Sequence, residues 1–161
     1  MTDNEQLKQR LQFLARVVRG ECKNLQATDA RLFAEPFTPE RAGRLDEDQV
    51  LSERVDAFVA RFSRLQDTLG DKLLAVLLEA LGEERTVLID RLDKAEKLGW
   101  ISSSEQWMVI RQLRNQMIHE YIEDPSVLAQ ALNTGHDYVK ELNNATQNML
   151  DELQKRGWKE P

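Results

Sequence analysis

Leu51, Val55, Phe58, Phe62, Leu65 and Leu69 follow one another at steps of 4-3-4-3-4. No other feature of the chain constrains its fold as strongly. That alternation lines large apolar side chains along one face of an α-helix, whereas a half-buried strand would repeat every second residue. A helix carrying such a seam is stable mainly through what covers it, so the pattern demands further helices. Residues 3–33 supply one, with Leu7, Leu11, Leu14, Val18, Leu25 and Leu32 at spacings of three, four and seven. "KLLAVLLEAL" is apolar on nearly every side and reads as a central segment.

Punctuation between these stripes is sparse: the chain has 7 glycines and 4 prolines in 161 residues. "AEPFTPERAGR" holds two of the prolines and reads as a connector. The next helix is expected to begin near Asp46. Gly70-Asp71 is a place for it to kink or break, and Gly82 is placed to stop it. A short helix over residues 86–98 carries Leu88, Leu92 and Ala95 inward and ends at Gly99. "SSSE" at residues 102–105 reads as a capping box that opens a helix running to about Glu123. Asp124-Pro125 then caps a last helix with the seam Leu128, Leu132, Val139, Leu142, Met149 and Leu153, closed by Gly157. The spacing predicts an all-α, up-and-down bundle of about five helices in a single domain over 1–161, with an N-terminal helix (1–34), a linker (35–45) and the remaining bundle (46–161).

Several function classes are disfavoured. Lys and Arg total 22 against 28 Asp and Glu, a net charge of −6, so the surface as a whole does not suit polyanions, although Arg111 and Arg114 could form a small basic cleft. No apolar run reaches the roughly 18–20 residues of a membrane span. The N-terminus is polar and a single cysteine, Cys22, excludes an internal disulfide, so cytoplasmic residence is the expectation. No phosphate-cradling glycine motif or metal-loop spacing occurs, so no cofactor and no metal are expected. Cys22 lacks a nearby activating group in sequence and reads as a packing residue. His136 adjoins Asp137, but neighbouring helix positions do not face each other, so it reads as structural. Arg61 and Arg64 fall on the polar side of their helix and could extend a basic cleft, though neither is assigned to a site.

"LRNQMIHEYI", beginning at Leu113, departs from the apolar pattern. Met108, Gln112, Asn115 and His119 step 4-3-4 along one line, a contact seam in which three of four residues are polar. Trp107, Ile110, Leu113, Met117 and Tyr121 cover another arc. Arg114 lies about 140° from His119 around the axis and can reach back toward it. This set supports two readings. In one, Arg114 pairs with a carboxylate, Asn115 and His119 make local hydrogen bonds, Tyr121 packs, and nothing reacts. In the other, an imidazole moves protons near neutral pH while a guanidinium stabilises charge on a phosphorane, chemistry that cleaves RNA through its 2′-hydroxyl without metal. One histidine per chain does not easily serve as acid and base together, which is a reason for two chains to pair across this face.

Arg114, Asn115, His119 and Tyr121 in this order resemble the R-x4-H-x-Y signature of HEPN domains, and the HepT-like branch in particular, where a polar residue follows the arginine. The segment "DRLDKAEKLGWISSSEQWMVIRQLRNQMIHEY" is similar to that branch as well. The resemblance spans residues 86–142 and is architectural only in the N-terminal half. It implies a helical bundle that dimerises with signature helices lining a shared cleft, and a metal-independent endoribonuclease acting as the toxin of a toxin–antitoxin module. Arg114 and His119 would then be catalytic and Asn115 supporting. The partner would be an MNT-type nucleotidyltransferase antitoxin, and Tyr121 would be the acceptor of an adenylyl group that silences the nuclease. The same fold could instead serve as a non-catalytic substrate-binding or partner subunit of a nucleotidyltransferase, or as a helical interaction protein with no chemistry.

Overall fold

The computed structural model describes residues 2–84, 86–119 and 124–158. The helices α1 (Asp3–Leu32), α2 (Pro39–Ala42), α3 (Gln49–Asp67), α4 (Leu74–Ala80), α5 (Leu88–Lys97), α6 (Ser104–His119) and α7 (Pro125–Lys155) account for most of them. No strand occurs among the described residues. The chain is an all-α bundle.

α1 starts at Thr2, whose hydroxyl accepts from the Glu5 N–H while the Glu5 carboxylate accepts from the Thr2 N–H, a reciprocal box that closes two orphan donors. Its buried stripe includes Leu11, Leu14, Val18, Leu25 and Leu32. α1 packs along α3 and against α7, and its stripe meets Val55, Phe58, Phe62 and Leu65 in a continuous apolar core. The linker contributes to that core. Phe37 and Ala42 are buried, α2 makes one helical turn capped by Thr38, and Asn133 of α7 donates to the Phe37 carbonyl at 2.8 Å.

At Gly70-Asp71, the place for a kink or a break, the helix does not break. α3 passes into a π-helical turn over Thr68–Leu73 and continues directly as α4. The cause is legible in the apolar spacing. Continuing the 4-3 alternation beyond Leu69 would place Lys72 inward, yet the apolar run resumes only at Leu73, and the seam passes to Leu73 and Leu77 at two successive steps of four. Lys72 is exposed and both leucines are fully buried. The sequence slips by one residue, and the backbone absorbs the slip by widening one turn, so that the Leu74 N–H donates to the Leu69 carbonyl five residues back. Glycine is needed here because a Cβ on Gly70 would lie 2.9 Å from Nε1 of Trp107.

α4 stops where expected: Gly82 has φ of 85°, and the Glu83 N–H reaches back to the Leu78 carbonyl. The start of α6 differs in its chemistry. Ser103, not Ser102, caps it, accepting from the Gln106 N–H at 3.1 Å, while the Glu96 carboxylate of α5 accepts from the Ser104 N–H at 2.9 Å. Ser102 instead donates across to Glu141 of α7 at 2.7 Å. The α7 cap is as expected, with Asp124 accepting from the Ser126 N–H and Pro125 at the first helical position. All six seam residues of α7 are buried. Gly135 lets α7 approach closely, since a Cβ there would come within 3.2 Å of the Phe58 ring. α6 packs against α3, α5 and α7.

Candidate functional site

α6 divides into faces as its spacing requires. Trp107, Ile110, Leu113 and Met117 are buried, whereas Met108, Val109, Gln112, Asn115, Gln116 and Ile118 are exposed. The polar line of Gln112 and Asn115 therefore looks outward, and exposed Met108, Val109 and Ile118 flank it. The backbone of His119 closes the described part of α6. The side chain of His119 and the whole of Tyr121 lie outside the described residues.

Arg114 sits at the margin of this face and turns toward α3. Its Nη2 donates to Oδ2 of Asp67 at 2.9 Å, and its Nη1 donates to Oδ1 of Asn115 at 2.9 Å. Nε is buried and has no partner among the described residues. The Arg114 side chain keeps 28% of its surface and Asp67 keeps 35%, so the pair is half-buried rather than sealed. One helical turn earlier on α6, Arg111 donates to Oδ1 of Asp71 at 2.9 Å. The arginines expected to form a basic cleft are thus each matched by a carboxylate from the π-turn or the residue before it. Asp67 and Asp71 were not singled out from the sequence. Only their placement across the bundle reveals them, although the slipped apolar register at Gly70 marks the turn that presents them.

Behind the ion pairs lies a buried polar layer. Gln66 is wholly buried, and neither its carboxamide oxygen nor its nitrogen has a hydrogen-bond partner among the described residues. Nε1 of Trp107 is likewise unpaired, and both groups converge on Gly70. Buried polar groups are almost always paired, so this layer is the least satisfied part of the interior. Thr68 links it to α1 by donating to Oε1 of Glu21 at 3.1 Å. Burial pushes the Glu21 carboxyl above its ordinary range, with Asp67 acting in the same direction and the Thr68 hydroxyl, Lys72 and Arg64 opposing.

On its other side Asn115 lines an open groove of about 550 Å³ between α6 and α7. Gln112 and Gln116 face Gln130 and Thr134 across it, and none of the described residues that line it is charged. No hydrogen bond among the described residues engages the three glutamine amides.

Residues read as structural behave so. His136 contacts Asp29 at 2.7 Å through Nδ1 and stacks on Phe33 with ring centroids 4.2 Å apart; it does not use Asp137. Cys22 is buried, its thiol donates to Asn143 at 3.1 Å, and burial raises its pKa. Arg61 extends no cleft, because it ties α3 to α1 through the Asn24 carbonyl and the Thr28 hydroxyl. No cluster of His, Cys, Asp and Glu suited to a metal occurs among the described residues. No described helix is long and apolar enough to cross a membrane.

No family model, no curated protein and no solved structure matches this chain.

Proposed function

We propose that the chain is a HepT-like HEPN endoribonuclease, the toxin of a module whose antitoxin is an MNT-type nucleotidyltransferase, working as a homodimer through the exposed face of α6. The observation that supports this most is the setting of Arg114. Its guanidinium is oriented by Asp67 and Asn115 but remains partly open to solvent, on the helix that also carries His119. A guanidinium held in this way is pre-organised for a phosphate oxygen at little further cost in rotamer freedom. Beyond the bonds to Asp67 and Asn115 three N–H groups remain, one on each Nη and the buried one on Nε. His119 would move the proton between the ribose 2′-hydroxyl and the leaving oxygen, with the partner chain's set supplying the second role. The amides of Gln112, Asn115, Gln116 and Gln130 along the α6–α7 groove suit base edges. Adenylylation at Tyr121, seven residues after Arg114 in sequence, would add bulk and negative charge to the signature segment and exclude RNA.

The decisive experiment is cleavage of single-stranded RNA by pure protein in chelator. Activity should fall at least ~100-fold in His119→Ala and in Arg114→Ala. Equal cleavage by wild type and both variants would end the proposal.

One observation favours a second reading. Asp67 already neutralises Arg114, which suits a non-catalytic partner subunit of a nucleotidyltransferase in which the arginine buttresses the bundle. That reading expects a folded His119→Ala protein that still binds the transferase, with no cleavage by either form.

A further inference from the structure

A second groove, of about 570 Å³, opens at the other end of α3, where the linker folds over the end of α1. Arg31, Arg41, Arg44 and Arg54 line it, against Glu35 and Asp48. Four guanidiniums and two carboxylates give this groove a net positive charge on a chain whose net charge is −6. The arginines differ in how they are held. Arg41 is fixed: its Nη1 donates to the Leu32 and Glu35 carbonyls at 2.8 and 2.9 Å, and its guanidinium lies over the Phe37 ring. Arg31, Arg44 and Arg54 are exposed, and their guanidiniums have no ion pair or hydrogen bond among the described residues. The Asp48 carboxylate is occupied in capping α3 through the Leu51 N–H at 3.0 Å.

Elsewhere on the molecule Arg111, Arg114 and Arg156 each reach a carboxylate within 2.9 Å. Three adjacent arginines left without one in an acid-rich chain form a local positive field around a concave surface, the arrangement that concentrates an anionic ligand. Guanidinium forks match the oxygens of phosphate, and several together match a chain of phosphates rather than a single one.

We infer that this groove is a phosphate-binding site that takes the backbone of an RNA strand through Arg31, Arg44 and Arg54, with Arg41 as its fixed wall. Arg54 and Asp67 are thirteen residues apart on α3, so the groove lies about 20 Å along that helix from the Asp67–Arg114 pair. The choice of RNA over other phosphate chains rests on the ribonuclease reading above; the preference for phosphate rests on the groove alone.

The test measures binding without cleavage. A single-stranded 2′-O-methyl RNA oligonucleotide, which lacks the attacking hydroxyl, is titrated against wild type and the Arg31→Gln/Arg44→Gln/Arg54→Gln variant over a range of salt. On a single strand, every phosphate that the protein neutralises adds about 0.7 to the salt slope of log K, so the variant's slope should be shallower by about 2 and its affinity at low salt at least roughly tenfold weaker. Inorganic triphosphate forms the second arm. Competition with RNA in the wild type that disappears in the variant supports the phosphate site directly. Triphosphate binding that depends on the three arginines, with no RNA binding, keeps the site and makes free polyphosphate its ligand. Equal behaviour of both proteins toward both probes overturns the inference and leaves the arginines to a carboxylate-bearing protein surface. The two proposals fail separately. RNA binding through the groove without cleavage of unmodified RNA sinks the nuclease and spares the groove, and cleavage with an unchanged salt slope does the reverse.

Discussion

The two ends of the helix formed by α3 and α4 and their intervening turn use opposite solutions to the same packing problem. Toward the N-terminal end, Val55, Phe58, Phe62 and Leu65 meet α1 through apolar contact, and each is fully buried. Polar atoms near that interface are satisfied locally, as where Ser63 donates to the Val59 carbonyl at 2.7 Å. Around the π-turn, the same helix meets α6 and α1 through Asp67, Asp71, Gln66 and Thr68, with three buried polar side-chain atoms of Gln66 and Trp107 unpaired. The contrast shows what a one-residue slip in a heptad-like seam does. It keeps the leucines inward, but it also brings neighbouring polar residues into the interface. π-turns recur at functional sites.

The comparison can be broken first at its apolar end. Phe62→Ala should cost about 3–5 kcal/mol, because it removes a fully buried ring from the seam and leaves a cavity. Urea unfolding gives the value, and a cost under about 1 kcal/mol would show that the seam does not hold the bundle. Next comes the π-turn. Gly70→Ala places a methyl against Trp107 Nε1 and should destabilise by about 1–3 kcal/mol despite alanine's better helix propensity. Trp107→Phe in that background should recover part of the loss, and simple additivity of the two substitutions would mean that the indole is not what the methyl meets.

Asp67→Asn should change stability by less than about 1 kcal/mol, because the ion pair it removes is partly exposed to solvent. Its value lies in function. Freed from its carboxylate, Arg114 should hold RNA more tightly if the ribonuclease reading is right, and unchanged affinity would place Arg114 with the buttresses. The smallest effect belongs to Glu21, whose folded carboxyl lies above its unfolded value, so the native state binds the proton more tightly than the unfolded state does. Stability is therefore lost as pH rises from the ordinary glutamate range through the raised folded value, and it is regained on acidification. Glu21→Gln keeps an acceptor for the Thr68 hydroxyl and removes the buried charge. Its denaturation midpoint should exceed wild type's at neutral pH and converge with it in mild acid. A constant difference across pH would show that burial of the carboxylate is not the cause.

Much of the candidate site is legible in the order of residues along the chain. The phase of Met108, Gln112 and Asn115 along α6 places them outward, and the phase of Trp107, Ile110, Leu113 and Met117 places them inward, because helical geometry fixes angular position from residue number. The partners of Arg111 and Arg114 are not legible there. Asp71 and Asp67 lie 40 and 47 residues away in sequence, and the slipped apolar register beside them marks a turn without saying which side chains it will meet. The groove of Arg31, Arg44 and Arg54 is hidden for the same reason. Its residues come from a helix end, a linker and the following helix, and only closure of the linker gathers them.

The sequence by itself determined that this chain is helical, where its long seams run, and which face of α6 is polar. These depend on periodicity and capping, and both act within one or two turns of backbone. The tertiary structure decided that Gly70 lies in a π-turn instead of a break, that each arginine of α6 meets a carboxylate, and that Arg31, Arg44 and Arg54 gather around one groove with no such partner among the described residues. Those outcomes depend on which side chains share a space once the helices have packed, and the strength of a charge pair is set by that neighbourhood and its exposure to water.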